Sequence, residues 1–503
     1  MKFFAAVLLA LCAVAQAAEK IPPPAVQVES LAAPSAPGAL GASLAVAPDG
    51  TLWLSWIEPA PDGAQALRCA TFDSAAKKWR AARTIASGRD LAASAADFPQ
   101  LAAGAAGRVT AMWADTHDGV QASGSADGGA TWSAPTPLVA DGHAVEKFSL
   151  AVLADGRVLA AWLDGRAKKS GGKAQQLFAR VVGRAGLPSA ALAKEGPDIL
   201  IDPSVCDCCQ TTLTAFPDGG ALLAYRGRTE EEARDIRTAR FDGRAWAESR
   251  PLNHDDWRLL ACPVNGPRLH SDGGRVAAAW FTAADNDPRV LASYSPDAGA
   301  RFLQPLRIDH GKPTGHVDTL ILHDGAILVT WLESDGSVWL RRVTPDFAPD
   351  APVRLAPAGA TNVKTVPRVA LWHDYSGGNT PAQFIATFAG GDAAPLRTLL
   401  VTVPEGELLD AEKNCDCAPT AEQLQGFSLR GTIAAVDADH GVVRVRHEET
   451  PGVLTAGTHE FKAAPNVIAA AQPGRQFLGR IERSGGGWRL FDVRLLVASP
   501  AQK

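Results

Sequence analysis

A short hydrophobic pattern recurs along most of the chain and predicts its organisation. Each copy starts at a turn such as Asp-Gly, alternates apolar with polar residues and ends on an aromatic one. The closing aromatics are Trp56, Trp113, Trp162, Tyr225, Trp280, Trp331 and Phe388. By subtraction they lie 57, 49, 63, 55, 51 and 57 residues apart. Period-two alternation between turns predicts hairpin strands, and about fifty residues per copy suits one four-stranded blade of a β-propeller. We therefore predict an all-β fold of seven blades. Six blades are the alternative, because the copy ending at Phe388 is poor.

A second motif supports the repeat. Ser125-Ala-Asp127-Gly-Gly129-Ala-Thr-Trp132 has the form S-x-D-x-G-x-x-W, Ser295 to Phe302 is a copy with Phe for Trp, and Phe72 to Trp79 is a decayed third. In such a hairpin turn the Asp accepts backbone hydrogen bonds, the Gly takes a positive φ and the aromatic packs underneath. On these residues the chain resembles the sialidase-like Asp-box (BNR repeat) β-propeller superfamily over residues 30–404. The motif is structural, so the resemblance implies a fold far more strongly than an activity.

A separate β-rich unit, residues 426–497, follows a linker at 405–425. Five short strands in about seventy residues predict a small OB-like barrel. From His447 to Phe461 the unit resembles the periplasmic copper-chaperone domain of copper-efflux systems, in which a His, a Trp and two Met hold copper(I). His447 matches that His, and Gly457 and His459 stand where the Met residues would be. The resemblance implies a metal site at His447 and His459; the alternative is a barrel kept as an interaction or structural module.

The N-terminus, residues 1–18, reads as a secretory signal. Lys2 precedes a short apolar run, and Ala15-Gln16-Ala17 has the small-x-small form of a cleavage site. The run is too short to span a bilayer, so we expect a periplasmic or secreted protein without a membrane span. The net charge of −5 gives no electrostatic reason to expect nucleic acid as a partner.

Cysteine usage gives the first chemical clue. The chain has 8 Cys, and removing Cys12 with the signal leaves seven (8 − 1 = 7). An odd number in an oxidising compartment means that at least one thiol is free, intermolecular or metal-bound. In a propeller, the loops that enter the innermost strands share one face, here called the mouth face, where ligands bind. The residues predicted to meet there are Cys206, Cys208, Cys209, Cys262 and His316.

Thiols and imidazole are the ligands that soft metal ions prefer, so this set predicts a metal site, with copper favoured over zinc. A second Cys-x-Cys pair, Cys415 and Cys417 in the linker, repeats the chemistry. The alternative is structural disulfides, with Cys206 or Cys209 paired to Cys262, and Cys415 paired to Cys417 or Cys69.

Arginines after two of the signature aromatics raise a different possibility. Sialidases hold a sugar carboxylate with three arginines and use a Tyr nucleophile helped by a Glu, with an Asp as acid/base. The resemblance assigns these roles to Arg166, Arg226, Arg228, Tyr375, Glu230 and Asp164. The arginines could instead pair with nearby carboxylates and shape loops.

The favoured function is an exported propeller that binds a soft metal ion or small ligand at its mouth and takes part in periplasmic metal handling, with a periplasmic protein as a further partner. One alternative is an exo-sialidase-type glycoside hydrolase. The other is a non-catalytic propeller that binds a protein or glycan.

Overall fold

The computed structural model describes residues 26–94, 97–117, 119–139, 145–187, 196–322, 325–345, 347–361, 365–371, 382–391, 394–403, 427–447, 454–484 and 487–495. In these ranges the chain forms seven antiparallel sheets and one closed five-stranded barrel. The prediction of seven blades is confirmed, and the six-bladed alternative is wrong. The predicted signal (1–18), the predicted linker (405–425, with Cys415 and Cys417) and Tyr375 lie outside the described residues.

Each sheet is one blade, and the blades are numbered I to VII in the order of their innermost strands. These innermost strands are β2 (Leu40–Val46), β8 (Gln100–Ala103), β12 (Val145–Val152), β16 (Thr212–Ala215), β20 (Arg268–Asp272), β24 (Pro313–Ile321) and β28 (Arg368–Leu371). The second strands are β3 (Leu52–Pro59), β9 (Val109–Asp115), β13 (Arg157–Asp164), β17 (Ala221–Arg226), β21 (Arg275–Thr282), β25 (Ile327–Glu333) and β29 (Ala382–Ala389). The third strands are β4 (Gln65–Asp73), β10 (Gly119–Ser125), β14 (Gln175–Arg184), β18 (Ile236–Phe241), β22 (Arg289–Ser295), β26 (Val338–Val343) and β30 (Leu396–Val403).

Each blade ends in an outermost strand, and the outermost strand of blade VII comes from the N-terminal part of the chain. In blades I to VI they are β6 (Arg83–Gly88), β11 (Thr136–Pro137), β15 (Ile199–Val205), β19 (Arg250–Pro251), β23 (Leu306–Arg307) and β27 (Val353–Ala356). Blades I and II carry the extra short strands β5 (Lys78–Trp79) and β7 (Leu91–Ala92). Blade VII is completed by β1 (Gln27–Leu31), which pairs with β30. Each innermost strand contacts that of the next blade, and β28 contacts β2, so the ring is closed.

Apolar clusters between the blades hold the ring together. In the described residues, each pair of adjacent blades encloses one such cluster. Signature aromatics lie in them: Trp56, Trp162, Trp280 and Trp331 are fully buried. Three of these indoles donate to a carboxylate two residues later, in Glu58, Asp164 and Glu333. A buried indole N–H needs an acceptor, so the W-x-[D/E] pattern is part of the blade architecture.

The Asp-box turns have the predicted mechanism. In blade II, Asp127 Oδ1 accepts hydrogen bonds from the Thr131 amide at 2.9 Å and from Ser125 Oγ at 2.8 Å. Gly129 has φ of 77° and lies against Trp53 and Trp132. In blade V, Asp297 accepts the amide of Arg301 in the same way, at 2.8 Å. Both turns join the third strand of a blade to its fourth.

The C-terminal unit has the five predicted strands, and they close into a barrel. These are β31 (Phe427–Asp437), β32 (Val442–His447), β33 (Gly457–Ala463), β34 (Gln476–Ser484) and β35 (Gly487–Leu495), in the order β31-β32-β33-β35-β34. Its assignment to the OB type stays a prediction. Two short helices, α1 (Arg166–Lys169) and α2 (Pro465–Ala470), and two 3-10 turns, Pro61–Gly63 and Ala284–Asn286, connect strands. Among the described residues, no helix has the length and apolar character needed to cross a membrane.

Candidate functional site

The cysteines lie on two neighbouring connections. The segment Cys206–Gln210 joins β15 of blade III to β16, and Cys262 lies between β19 of blade IV and β20. Both connections enter an innermost strand, so they lie on the mouth face, as predicted. The amide of Cys206 donates to the carbonyl of Arg226 at 3.0 Å, and this fixes the start of the cysteine segment against blade IV.

Cys208 and Cys262 form a disulfide with a Cα–Cα distance of 6.0 Å. The prediction that Cys262 approaches the Cys-x-Cys-Cys segment is confirmed, but its pairing with Cys206 or Cys209 is wrong. Cys206 and Cys209, the free cysteines of this segment, face inward and are 1% and 2% exposed. Cys208 is half-buried and turned toward the exposed Cys262. The bond cross-links the connections that enter blades IV and V.

The two free thiols lie directly beneath this disulfide. Cys206 Sγ is 3.5 Å from Cys209 Sγ and 3.9 Å from Cys208 Sγ. These three sulfurs lie within 4.8 Å of one another, and they form the one such group of possible metal ligands found among the described residues. His316 is not a member of that group, although the sequence places it with the cysteines.

Two buried guanidinium groups flank the free thiols. Arg234 is 4% exposed; its Nη1 donates to Cys206 Sγ at 3.1 Å, and its Nη2 donates to Glu232 at 2.5 Å. Arg226 is 1% exposed and donates to the backbone carbonyls of Asn265, Arg234 and Phe281, at 2.9, 2.6 and 2.7 Å. Because those acceptors are neutral, the positive charge of Arg226 acts on the sulfurs beside it.

The electrostatics separate the two thiols. The hydrogen bond from Cys209, together with the charges of Arg226 and Arg234, lowers the pKa of Cys206 to about 6 against the effect of burial. Burial raises the pKa of Cys209 well above its ordinary value. Near neutral pH the pair therefore holds one negative charge, on Cys206, with Cys209 as the donor. A buried thiolate of this kind is a nucleophile and a metal ligand.

A close backbone contact forms the floor of the site. The amide of Gly266 donates to Gln210 Oε1 at 2.6 Å, and a Cβ at Gly266 would lie 2.1 Å from the Gln210 carbonyl oxygen. A glycine is therefore required there. Asn265 Oδ1 accepts the amide of His316 at 2.7 Å, which ties blade VI to the same floor. Burial lowers the pKa of His316 to about 4, so its ring is neutral.

The arginines proposed to hold a sugar carboxylate have protein partners instead. Arg166 Nη2 pairs with Asp164 at 2.6 Å and Asp198 at 2.8 Å, and Arg228 pairs with Glu232 at 2.7 Å. Asp164 is fully buried between the indole of Trp162 and Arg166. Glu230 is exposed and lies on the same connection as Arg228. These contacts shape loops.

In the barrel, the two predicted histidines touch each other. His447 Nε2 lies 2.8 Å from His459 Nδ1, and His447 packs edge-on against Phe461. They sit on the paired strands β32 and β33. One nitrogen of each ring is engaged by the other ring, and the metal site implied at these histidines stays a prediction.

The axis of the ring holds a cavity of about 1160 Å³, lined by the innermost strands of the seven blades. No cysteine of the described residues lines it, so the thiols lie between blades IV and V and not over the axis. Near its mouth end, Phe98 lies between the guanidinium groups of Arg268 and Arg368, at 5.3 and 4.0 Å from the ring centroid. Arg368 is 3% exposed, and its Nε and Nη1 have no acceptor in the described part of the chain.

Sequence reasoning missed Arg234 and the axial arginines. Arg234 carries no local signal, because its role depends on how the connection between β17 and β18 lies against the Cys206–Gln210 segment. The W-x-[D/E] pattern was visible and would have identified Asp164 and Glu333 as indole partners.

No protein-family model matches the chain, and no curated protein matches it by sequence. Solved structures do. The BP39L lectin from Burkholderia pseudomallei matches at 12% identity and a TM-score of 0.52, over 74% of this chain and 97% of the lectin. The α-L-arabinanase of Penicillium chrysogenum matches at 12% identity and a TM-score of 0.40, over 75% of this chain and 98% of the arabinanase. The Hadza microbial sialidase Hz136 matches at 15% identity and a TM-score of 0.37, over 58% of this chain and 63% of the sialidase. The lectin match supports the propeller fold and nothing further.

Proposed function

We propose that the protein is an exported β-propeller that binds a soft metal ion, copper(I) foremost, at the sulfurs of Cys206, Cys209 and, once its disulfide is reduced, Cys208. The observation that carries the proposal is the convergence of three sulfurs within 4.8 Å of one another. Thiolate sulfur is a soft ligand and favours copper(I) over harder ions.

The sulfur spacing suits a common central ion. Metal–sulfur bonds of about 2.3 Å in a tetrahedral site place neighbouring sulfurs roughly 3.8 Å apart. The observed separations from Cys206 Sγ are 3.5 Å to Cys209 and 3.9 Å to Cys208. The sulfurs therefore need only small shifts to become ligands.

The charges also fit. Three thiolates with one monovalent ion carry a net charge of −2, and the buried cations Arg226 and Arg234 supply +2. A buried ionic group is tolerated when it is compensated in this way. Cys208 joins the ligand set only after its bond to Cys262 has been reduced, so the disulfide form offers two thiols, on Cys206 and Cys209.

Three observations support export. Residues 1–18 have the pattern of a secretory signal, and the Cys208–Cys262 disulfide is typical of proteins in oxidising compartments. The resemblance of residues 426–497 to copper chaperones points to the same compartment.

Copper(I) titration of the anaerobically reduced protein tests the proposal, with a colorimetric copper(I) chelator as competitor and elemental analysis of the product. We expect one tightly held ion per chain, lost in a Cys206→Ser, Cys209→Ser double variant. Cys69→Ser is the matched control, because Cys69 is an equally buried free thiol in blade I. A His447→Ala, His459→Ala variant should keep the ion. Copper retained after loss of Cys206 and Cys209, or no copper at all, would contradict the proposal.

A small anionic ligand in the axial cavity is a second candidate, favoured by the unpaired nitrogens of Arg368. A buried cation without an acceptor is costly, and an anion would relieve that cost. Thermal unfolding with acetate or sulfate against chloride tests it. We expect the anion to raise the Tm of the wild type and not of Arg368→Gln, whereas equal shifts would contradict it.

A further inference from the structure

The exposed disulfide and the buried thiol pair are in contact, although only one of them is accessible. Cys262 is exposed and Cys208 half-buried, while Cys206 and Cys209 are 1% and 2% exposed. The gap between the two systems is the 3.9 Å from Cys206 Sγ to Cys208 Sγ, which is a van der Waals contact. A structural disulfide does not require a free dithiol at this distance.

We propose that these four cysteines form a thiol–disulfide relay, in which the buried Cys206/Cys209 pair reduces the Cys208–Cys262 bond and thereby delivers a reactive thiol to the surface at Cys262. Its substrate is a disulfide of another exported polypeptide. The relay uses sulfurs of the proposed metal site but needs no metal.

The first step is attack by the Cys206 thiolate on Cys208 Sγ. A Cys206–Cys208 bond forms, the Cys208–Cys262 bond breaks, and Cys262 leaves as a thiolate that takes a proton from water. In the second step Cys209, having released its proton, attacks Cys206 Sγ at a starting distance of 3.5 Å. The Cys206–Cys209 bond forms and Cys208 leaves. One disulfide is present before and after, so no outside oxidant is required.

The third step involves the partner. The Cys262 thiolate attacks the partner's disulfide, and Cys208 then attacks the mixed disulfide at Cys262, so that Cys208–Cys262 is restored and the partner leaves with two thiols. The two electrons originate in the buried pair, which remains oxidised. One chain therefore reduces one partner disulfide before it must itself be reduced.

The surroundings favour both ends of the relay. Arg234 donates to Cys206 Sγ at 3.1 Å, and this buried guanidinium stabilises the attacking sulfur as a thiolate. At the surface, Leu260 is 91% exposed two residues before Cys262. An apolar side chain beside a reactive sulfur gives a polypeptide substrate a contact that a small thiol would not use.

Alkylation of the native protein tests the relay. The protein is prepared with Cys415→Ser and Cys417→Ser, confirmed to hold the Cys208–Cys262 disulfide, kept in metal chelator, and treated with iodoacetamide before peptide mapping. Without exchange, the free thiols Cys69, Cys206 and Cys209 are all buried and should react slowly. With exchange, Cys262 becomes a thiol, so we expect its labelling at least about tenfold faster than that of Cys69, with a Cys206–Cys209 disulfide in the same molecules.

Two variants decide the outcome. Cys206→Ser should reduce Cys262 labelling at least about tenfold, and Cys69→Ser should leave it unchanged. If Cys206→Ser does not fold, Arg234→Met keeps all four cysteines and should slow the labelling of Cys262 at least about tenfold, because it removes the guanidinium that contacts the attacking sulfur. The relay is wrong if Cys262 is not labelled in the wild type, or if Cys262 is labelled equally fast in the wild type and in Cys206→Ser.

The rates at which the protein reduces two different disulfide substrates identify the class of partner. The native protein is mixed in separate reactions with an unfolded polypeptide that contains one disulfide and with oxidised glutathione. We expect one equivalent of polypeptide disulfide to be reduced per chain, at least about tenfold faster than glutathione; the reverse order would overturn the polypeptide assignment. Copper binding by the fully reduced protein is measured separately, so that relay and metal site fail independently.

Discussion

Cys69 in blade I and Cys206 on the connection from blade III to blade IV are both free thiols, each 1% exposed, yet their chemistry is opposite. Cys69 lies on β4 among apolar side chains, and burial raises its pKa to about 12 although Arg83 and Arg68 oppose it. Cys206 has a second thiol at 3.5 Å and a guanidinium at 3.1 Å. A buried thiol with only distant cations is therefore inert, whereas a buried thiol that accepts hydrogen bonds from a guanidinium and a second thiol is reactive.

Arg226 gives the largest expected difference between the two regions. Arg226→Met leaves three buried carbonyls without a donor, so we expect the free energy of unfolding to fall by about 3–5 kcal/mol. Arg68→Met, beside Cys69, removes a part-exposed ion pair with Glu58 and should cost about 0–1 kcal/mol. Urea unfolding of both variants measures the difference. Equal losses would mean that the guanidinium groups of the thiol site have no special structural role.

The disulfide gives the second difference. Cys262→Ser removes a cross-link between residues 54 apart, and we expect a loss of about 2–4 kcal/mol in oxidising buffer. The control is the same measurement in excess reductant, where wild type and variant should agree. Cys69→Ser should behave alike in both buffers, since Cys69 has no disulfide. A variant that stays weaker in reductant would show that Cys262 contributes by packing and not by its bond.

The third difference is the pH dependence of the free energy of unfolding, which has opposite signs for the two thiols. An unfolded thiol has a pKa of about 8.5. The lowered pKa of Cys206 means that its stabilising effect is present above the unfolded value and is lost as pH falls toward about 6. The raised pKa of Cys69 means that its effect is present below the unfolded value and is lost as pH rises toward about 12.

Urea unfolding of wild type, Cys206→Ser and Cys69→Ser at pH 5 to 10 measures both effects. The difference between wild type and Cys206→Ser should grow from pH 6 to 9, by at most about 1.4 kcal/mol per pH unit. The difference for Cys69→Ser should shrink above pH 9. If the free energies of unfolding of the two variants depend on pH in the same way, the predicted contrast between the two thiols is wrong.

The fold could be predicted because its signals are local. Asp-Gly turns, closing aromatics and Asp-boxes each require only a few neighbouring residues, and Phe388 ends a buried strand of blade VII despite its poor repeat. The approach of Cys262 to Cys208 followed from blade order. Which cysteine would pair did not, because side-chain direction in a loop depends on contacts such as Gly266 on Gln210.

The electrostatic part of the site had no sequence signal. Arg226 follows a signature aromatic and suggested carboxylate binding, but its three acceptors are carbonyls from blades IV and V. Arg234 is one of several charged residues in an acidic-basic stretch. Their convergence on Cys206 depends on how adjacent blades are placed around the ring, and no window of the sequence contains that information.

The strand β1 also imposes an order on biogenesis. The hydroxyl of Thr398 donates to the carbonyl of Leu31 across 367 residues, so the earliest strand to emerge must wait for the last blade. Until then β1 has no partner strand, and unpaired strand edges attract other chains. That edge must therefore be shielded during synthesis, although the finished ring no longer needs such shielding.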